Sequence, residues 1–384
     1  MTDLSTRVLI IGAGVHGMTL AVSYLEQGGA LEELLLIDAH DQLLKNWKSQ
    51  TAHIEMSHLR STRVHHISSN PYALKQFAAA NDYGSYHFKD TFGRPSLALF
   101  NDHCDQLIAD FNLRSRFLGN QPVSSIKRSG NVYEVTTSTR RITAETVIVS
   151  TGQSSSMHLP GFADIPTCRH VFSANDQPEQ SNVTVVGGGI TALHYTVSRH
   201  SKGHDVTLVT KRPLEVSQFD ADRSFMGPKG LRAFHQLEDN WIEKRDFVKQ
   251  ERKPGTSPND LVLKVKRLVQ LGEIRHIIGE AVRDGDQLFV DGIALPSDEI
   301  VCCTGIRPLH PKETFLRPLM EQLDLPLTPC GTPVLDASLA WTDNFYMTGA
   351  YADLIVGPFA RAIYGGQEGA RRIIPRLLPA RKNA

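Results

Sequence analysis

The chain has 384 residues, 41% of them hydrophobic and 21% charged, which suits a globular protein large enough for two domains. Its 41 basic residues balance its 41 acidic residues, so the overall charge gives no reason to expect nucleic acid or an anionic membrane as a partner. The five cysteines are scattered without metal-ligand spacing, so we expect a reduced, cytoplasmic protein with no metal site.

One stretch near the start, residues 8–25, could suggest a membrane span. It contains His16 and three glycines and has no basic leader, so we interpret it as a buried strand that runs into a helix and expect no secretory signal.

The first 38 residues predict a strand, a tight turn, a helix and a second strand. Gly12 and Gly14 lack a Cβ and would let a pyrophosphate approach the helix N-terminus, and Gly17 would let the helix pack on the sheet. Asp38 lies 21 residues after Gly17, where a carboxylate can accept hydrogen bonds from an adenosine ribose. The alternative is a glycine-rich turn that binds nothing.

Residues 40–120 interrupt this unit, with helical patterns over 71–80 and 99–111. We expect this insertion to be mostly irregular, to wrap around the cofactor of the first unit and to help form the substrate cavity.

The same order of elements returns from Asn182, with a helix to about Arg199 and a strand ending at Val209. At the position that matches Asp38, 21 residues after Gly189, stands Thr210, followed by Lys211 and Arg212. A hydroxyl and two cations without a carboxylate favour the 2′-phosphate of NADPH. The alternative is a solvated basic turn.

Later features also repeat. Residues 123–136 and 281–290 each predict a hairpin with a glycine turn, and each is followed by an acidic residue, a β-branched run and a Thr-Gly pair. A further strand over 344–349 and a helix over about 358–374 are expected to return to the first domain. This helix would begin after Gly357-Pro358 and direct its positive dipole end at the flavin pyrimidine.

The predicted fold class is α/β, with two Rossmann-like FAD/NAD(P)-binding domains whose parallel sheets carry β-hairpin or meander insertions. We expect a discontinuous FAD-binding domain, residues 1–165 and 295–384, with the insertion 40–120 shaping the flavin and substrate pocket. Residues 166–294 would form the NADPH-binding domain.

The two glycine motifs, the two Thr-Gly strand ends and the closing strand resemble the two-dinucleotide-binding flavoproteins over nearly the whole chain. Disulfide reductases of this kind need a CxxC or CxxxxC pair, which is absent here. Residues 298–306 are similar to the Asp-x3-Leu-Ala-Thr-Gly-Tyr motif of ornithine and lysine N-hydroxylases, but depart at both apolar positions and at the tyrosine. Residues 56–77 and 94–100, and Leu159-Pro-Gly161 with His170, resemble further segments of class B flavin monooxygenases.

This resemblance implies an enzyme in which NADPH reduces FAD, the reduced flavin takes up O2 as a C4a-hydroperoxide, and one oxygen passes to a small soft nucleophile such as an amine or sulfide. No catalytic side chain is assigned. Taken with the motifs, it implies these FAD-contacting residues: Gly12, Gly14, Val15, His16, Gly17, Asp38, Lys45, Trp47, Leu59, Arg60, Val123, Thr151, Gly152, Gly349, Leu354, Val356 and Pro358. The implied NADPH-contacting residues are Gly187, Gly189, Ile190, Thr191, Ala192, Thr210, Lys211, Arg212, Thr304 and Gly305.

Several side chains have a second interpretation. Trp47 could lie beside the flavin or be ordinary packing, and His65 and His66 could lie near the flavin or be structural. Arg60 and Arg63 could anchor a substrate or be solvated at the surface. Two other functions also remain open: an FAD reductase with another electron acceptor, and a non-catalytic flavin-binding redox sensor.

Overall fold

A computed structural model describes residues 2–152, 157–173, 182–307 and 310–378. Within these residues the strands are β1 (Thr2–Ile11), β2 (Leu34–Ile37), β3 (Phe88–Lys89), β4 (Arg94–Pro95), β5 (Phe117–Leu118), β6 (Val123–Ser129), β7 (Val132–Thr137), β8 (Arg140–Val149), β9 (Cys168–His170), β10 (Asn182–Val186), β11 (Asp205–Thr210), β12 (Glu215–Val216), β13 (Thr256–Ser257), β14 (Arg275–Ile278), β15 (Ala281–Asp284), β16 (Gln287–Val290), β17 (Ile293–Leu295), β18 (Glu299–Cys302), β19 (Ala340–Thr342) and β20 (Phe345–Met347).

The α-helices of the same residues are α1 (Val15–Glu26), α2 (Lys45–His53), α3 (Ala73–Ala80), α4 (Leu97–Asp110), α5 (Ile190–Ser201), α6 (Arg232–Gln236), α7 (Trp241–Glu251), α8 (Asn259–Gln270), α9 (Arg317–Leu323), α10 (Asp353–Val356) and α11 (Ile363–Leu377).

The first sheet has the strand order β19-β20-β8-β1-β2-β5, and its central strands are parallel. Leu9 of β1 lies between Leu35 of β2 and Val147 of β8, and all three side chains are buried. Apolar side chains on both faces are typical of a parallel sheet covered by helices, and here α1 and α11 pack against each other beside it. The carboxyl ends of β2, β1, β8 and β20 therefore share one edge.

A hairpin of β6 and β7 extends this sheet through β7, which pairs with β8. Gly130 at its turn has a φ of +60°, a conformation that favours glycine. The first predicted hairpin is confirmed, and so is the second, which forms β15 and β16 of a three-stranded antiparallel meander with β17.

The second sheet has the order β14-β11-β10-β18-β9, with every neighbouring pair parallel. One face packs against α5 and α8 through a buried cluster that includes Val185, Leu193 and Val262. The other face packs against the meander through a buried cluster that includes Val186, Ile300 and Leu288. This is the second predicted dinucleotide unit.

The predicted domain boundary at residue 295 is wrong. β18 lies between β10 and β9 of the second sheet, in register so that Val301 is opposite Val185. β18 is a mostly apolar strand that pairs with β10 on one side and with β9 on the other, so the chain returns to the first sheet only after β18 ends. The first sheet resumes only with β19 and β20.

The last helix also begins later in the chain than predicted. α10 ends at Gly357, which has a φ of +90°, and hydrogen-bonded turns over 357–362 separate it from α11, which begins at Ile363. Pro358 is buried in these turns and is not in the first helical turn. Phe359 packs into an aromatic cluster with Phe219, which explains why the chain bends here before the helix starts.

Among the described residues, no helix is both long enough and apolar enough to cross a membrane.

Candidate functional site

The first glycine loop has a shape that only glycine permits. Gly12 has a φ of +104°, and a Cβ there would lie 2.6 Å from the carbonyl oxygen of Ser150. A Cβ on Gly17 would lie 1.8 Å from the carbonyl oxygen of Gly12, so the first turn of α1 packs directly against the loop. These two glycines bring the ends of β1 and β8 and the start of α1 together.

Gly14 differs because a Cβ there would have nothing within 4 Å. It is the N-cap of α1 and makes no side-chain cap, so the first-turn N–H groups of Val15, His16 and Gly17 have no intrahelical partner. Open space in front of free N–H groups and a positive helix end fits a pyrophosphate. The first loop therefore has the geometry needed to bind the pyrophosphate of a dinucleotide such as FAD.

Asp38 stands at the end of β2 and faces this loop. Its Oδ2 accepts a hydrogen bond from the N–H of Ala13 at 2.6 Å, and its Oδ1 accepts one from the N–H of His40 at 2.8 Å. The side chain is 15% exposed, so the carboxylate is held rigidly and can still be reached. Val123 lies close by, because the N–H of Gln121 donates to the carbonyl oxygen of Asp38.

His16 connects the loop with the last helix. It is enclosed by the protein, and burial lowers its pKa, so the ring is neutral and donates from Nε2 to the carbonyl oxygen of Ala362 at 2.8 Å. A Cβ on Gly366 would lie 3.0 Å from the ring, so the start of α11 is packed tightly against His16. The N-termini of α1 and α11 are therefore adjacent.

The other end of this edge carries Thr151, Gly152 and Gly349. They follow the parallel strands β8 and β20, and both glycines have positive φ, +64° and +69°. Thr151 and Gly152 are exposed. A dinucleotide whose adenosine lies at Asp38 and whose pyrophosphate lies at Gly14 would extend its second ring toward this end.

Some of the residues predicted to contact FAD are buried in the interior or packed against other side chains. Leu59, Leu354 and Val356 are 1%, 1% and 2% exposed, so their side chains belong to the interior. Trp47 packs on Phe100 and donates from Nε1 to Asn101, which is ordinary packing, whereas Lys45 directly follows Leu44, whose N–H donates to the carbonyl oxygen of Ala13 in the loop.

Arg60 requires a correction. Its guanidinium donates to the carbonyl oxygens of Ser217, Gln218 and Phe219, to the hydroxyl of Thr256, and to Asp220 at 2.6 Å. With its donors occupied by these partners, Arg60 ties the insertion to the second unit and is available neither to FAD nor to a substrate. Arg63 is exposed.

The second glycine loop repeats the first. Gly187 has a φ of +144°, and a Cβ there would lie 2.6 Å from the carbonyl oxygen of Cys303. Gly189 caps α5 without a side-chain cap, so Ile190, Thr191 and Ala192 also present free first-turn N–H groups. This loop fits a second dinucleotide for the same reasons as the first.

Thr210, the last residue of β11, is buried, whereas the two cations that follow it are exposed. The hydroxyl of Thr210 donates to the carbonyl oxygen of Arg212 at 2.8 Å and lies 2.9 Å from Nε2 of His276, and the residue is 3% exposed. Thr210 is therefore not a phosphate ligand, which corrects the prediction. The side chains of Lys211 and Arg212 are 79% and 55% exposed, and Arg212 lies beside Gly255, which packs near Gly189.

A segment between the units brings the two edges together. The hydroxyl of Thr304 donates to the carbonyl oxygen of His158, and the N–H of His158 donates to the carbonyl oxygen of Gly305 at 3.0 Å. Met157 forms a β-bridge with Ile306. Met157 comes five positions after Gly152, so these contacts fix the chain that follows the Thr-Gly end of the first sheet to the Thr-Gly end of the second.

His65 and His66 are buried, and burial lowers the pKa of each to about 4. The ring of His65 packs on Tyr364, and that of His66 packs edge-on against His103. Both are neutral structural residues at neutral pH. The described residues contain no group of three His, Cys, Asp or Glu arranged to hold a metal ion.

Nothing in the sequence indicated the cavity of about 750 Å³ that lies between the two units. Its cationic lining is formed by Arg245, Lys249, Arg252 and Arg361. Three of these cations lie on or just after α7 and the fourth lies more than 100 residues later, so no local spacing could have indicated them.

Comparison with known proteins agrees with this geometry. A sequence profile of the family described as pyridine nucleotide-disulphide oxidoreductase matches residues 9–249. No curated protein sequence gives a significant match. Similar solved structures include an ornithine N-hydroxylase from Kutzneria sp. 744, with 16% identity, coverage of 97% of this chain and 99% of that chain, and a TM-score of 0.77.

Two other similar structures are those of a monooxygenase and a disulfide reductase. L-lysine 6-monooxygenase from Pseudomonas syringae has 16% identity, covers 97% of this chain and 100% of that one, and has a TM-score of 0.72. Bacillithiol disulfide reductase from Staphylococcus aureus has 15% identity, 98% coverage of both chains and a TM-score of 0.63. At these identities the likeness shows a shared fold.

Proposed function

The chain belongs to the pyridine nucleotide-disulphide oxidoreductase family, and we propose that within it the protein is an FAD-dependent, NADPH-using monooxygenase that oxygenates a small soft nucleophile, an amine or a sulfide. The first loop, with Gly14 and Asp38, would hold FAD. The second loop, with Gly189 and the exposed cations Lys211 and Arg212, would hold NADPH.

The observation that carries this proposal is the attachment of residues 157–158, which follow the Thr-Gly end of the first sheet, to the Thr-Gly end of the second sheet. Each dinucleotide would lie across the carboxyl edge of its own sheet with its pyrophosphate at the glycine loop. The ring of each would then extend toward Gly152 in one sheet and Gly305 in the other, and His158, six positions after Gly152, is bonded to Thr304 and Gly305. This arrangement supports hydride transfer from NADPH to FAD.

When bound, FAD would take electrons from NADPH and use them to activate O2. The protein's own groups bind, orient and exclude water. The neutral His16 holds the first loop against α11, and the network of Arg60 closes the insertion over the second unit. Burial lowers the pKa of His65 and of His66 to about 4, so both remain uncharged at neutral pH.

One observation favours a reductase as the second candidate. Cys330 lines the cavity between the units; burial raises the pKa of its thiol, but hydrogen bonds from Thr328 and Arg245 more than offset this and lower the pKa overall. A thiolate there could react with a disulfide substrate. The similar structure from Staphylococcus aureus is that of a disulfide reductase. The absence of a CxxC or CxxxxC pair in the sequence favours the monooxygenase.

Mixing the NADPH-reduced, FAD-loaded protein with oxygenated buffer in a stopped-flow spectrometer separates these functions. A monooxygenase gives a transient spectrum that differs from both oxidised and reduced flavin, and consumes O2 in proportion to oxygenated product. Direct return of the oxidised spectrum, together with NADPH-driven reduction of a disulfide that is lost in Cys330→Ser, supports the reductase. Failure of NADPH to reduce the flavin contradicts both and leaves the redox sensor.

A further inference from the structure

The cavity between the two units carries an excess of positive charge. Helix α7 and the residues after it contribute Arg245, Lys249 and Arg252, and the turns before α11 contribute Arg361. In the described part of the chain, its lining includes no aspartate or glutamate.

Two of these cations share one carboxylate. Oδ2 of Asp353, which is 1% exposed, accepts from Arg245 and from Arg361, at 2.9 Å in each case. Arg245 also donates to the hydroxyl of Thr332 at 2.6 Å. Nε of Arg361 is buried and has no hydrogen-bond partner among the described residues. This donor lacks an acceptor that a ligand could supply.

Arg252 has no protein partner among the described residues. In the part of the chain that the structure describes, its guanidinium forms no hydrogen bond or ion pair, and the nearby Asp220 is already bound to Arg60. Burial, and next the positive charge of Arg361, lower the pKa of Arg252. An unpaired guanidinium held beside other guanidinium groups is costly unless an anion joins it.

The charge balance suggests how many negative charges the ligand carries. Of the four cations, Arg245 and Arg361 share Asp353, and Lys249 lies 3.7 Å from Asp246 at the surface. Four positive charges against these two carboxylates leave two in excess, so a dianion would balance the cavity. Arginine binds carboxylates well because its planar group can donate two parallel hydrogen bonds.

The position of the cavity indicates which ligand this is. Ala350 and Tyr351 line it and directly follow Gly349, at the end of the first sheet where the flavin ring would lie. The pyrophosphate of NADPH would instead be held by the free N–H groups at Gly189, and its 2′-phosphate by Lys211 and Arg212. Pro254 also lines the cavity, next to Gly255 at the second glycine loop, so the cavity extends from that loop toward the end of the first sheet. With the phosphates of NADPH held by those other groups, the excess charge of the cavity is left for a second ligand beside the flavin.

We propose that the cavity is the substrate site and that the substrate is a dicarboxylate, held by Arg252, Arg245 and Arg361 with its amine or sulfide directed at the flavin. This inference rests on the proposed function for the identity of the reacting group. The recognition of two carboxylates does not depend on the reaction.

Calorimetric titration of the FAD-loaded protein with glutarate tests the proposal, with glutaramide, its neutral diamide, as the matched ligand. We expect glutarate to bind and glutaramide not to bind. Arg252→Gln should weaken glutarate binding by about tenfold or more. Because Arg252 pairs with no carboxylate, its replacement leaves no protein charge newly unpaired. Arg232→Gln, which removes an exposed positive charge on α6, should change glutarate affinity by less than about twofold.

Other outcomes would overturn the proposal. These are no glutarate binding, binding of inorganic phosphate more tightly than glutarate, or an Arg252→Gln protein that loses NADP+ affinity and keeps glutarate affinity. Should Arg252→Gln fail to fold by circular dichroism, the 69% exposed Lys249 provides a second variant, and Lys249→Gln should weaken glutarate binding by about threefold. Calorimetry reads binding alone, so the stopped-flow test of monooxygenation can fail while this one succeeds.

Discussion

The ring of His16 donates a hydrogen bond from Nε2 to the carbonyl oxygen of Ala362, at 2.8 Å. His16 lies in the first turn of α1 and Ala362 is the N-cap of α11, so this bond joins two helix N-termini that come from opposite ends of the chain. Both helix ends face the edge of the sheet where we place FAD.

Replacing His16 should therefore weaken flavin binding as well as folding. His16→Ala removes a buried ring and its hydrogen bond, which should cost about 2–4 kcal/mol of the free energy of unfolding. FAD affinity should fall by about tenfold, measured by flavin fluorescence on release. His16→Gln keeps a donor and should recover part of both losses, while His200→Ala, which removes a half-buried ring beside Glu273 in the second unit, should leave FAD affinity unchanged.

Gly14→Ala should separate folding from flavin binding. A Cβ at Gly14 meets nothing within 4 Å, and the backbone there is extended, so the variant should unfold at nearly the wild-type temperature. The added methyl group would occupy the space meant for the pyrophosphate, so the protein should be colourless after purification. Gly161→Ala, which also has open space for a Cβ, should remain yellow. A yellow Gly14→Ala protein would contradict the assignment.

Charge reversal at Arg212 should change coenzyme preference. The side chain is 55% exposed and lies beside the second glycine loop, so Arg212→Glu should raise the KM for NADPH by about tenfold or more and leave the KM for NADH within about twofold. Steady-state NAD(P)H oxidation measures both constants. Lys229→Glu, an exposed charge reversal elsewhere, should leave the ratio unchanged. An unaltered preference in Arg212→Glu would contradict the second site.

Buried histidines should make the protein sensitive to acid. Burial lowers the pKa of His65 and His66 to about 4 and that of His103 to about 3. The unfolded chain, with histidine near 6.5, binds more protons below that pH, so the free energy of unfolding should fall as the pH decreases from 6.5 to about 4. Each histidine contributes a slope of at most about 1.4 kcal/mol per pH unit.

His103→Leu tests this origin, because Nδ1 of His103 is buried without a partner in the described residues. Urea unfolding at several pH values should show a shallower loss below pH 6.5 in this variant than in the wild type. His158→Gln, an exposed position, should keep the wild-type slope. Equal slopes in all three proteins would assign the acid sensitivity to other groups.

The parts of the fold that could be predicted have short-range causes. Gly12, Gly14 and Asp38 follow one another within a single strand-helix-strand unit, and the glycine at each hairpin turn is required by a local positive φ. The second unit could be predicted because it repeats this order. Each of these features follows from residues fewer than 40 positions apart.

The predictions that were wrong concern features that depend on contacts between residues far apart in the sequence. β18 joins the second sheet because Val301 fits opposite Val185, more than 100 residues earlier. Arg60 looked available for FAD or substrate, but its partners lie about 160 residues away. Thr210 turns its hydroxyl toward His276 on a neighbouring strand. The start of α11 was misplaced because Phe359 packs against Phe219, a contact that no spacing within the last helix indicates.

The central claim is that two glycine loops hold FAD and NADPH with their rings close enough for hydride transfer. Anaerobic mixing of the FAD-loaded protein with NADPH in a stopped-flow spectrometer tests it most directly. We expect the visible absorption of oxidised flavin to disappear in a single turnover, faster with NADPH than with NADH. A protein that binds no FAD, or whose bound flavin stays oxidised at saturating NADPH, would contradict it.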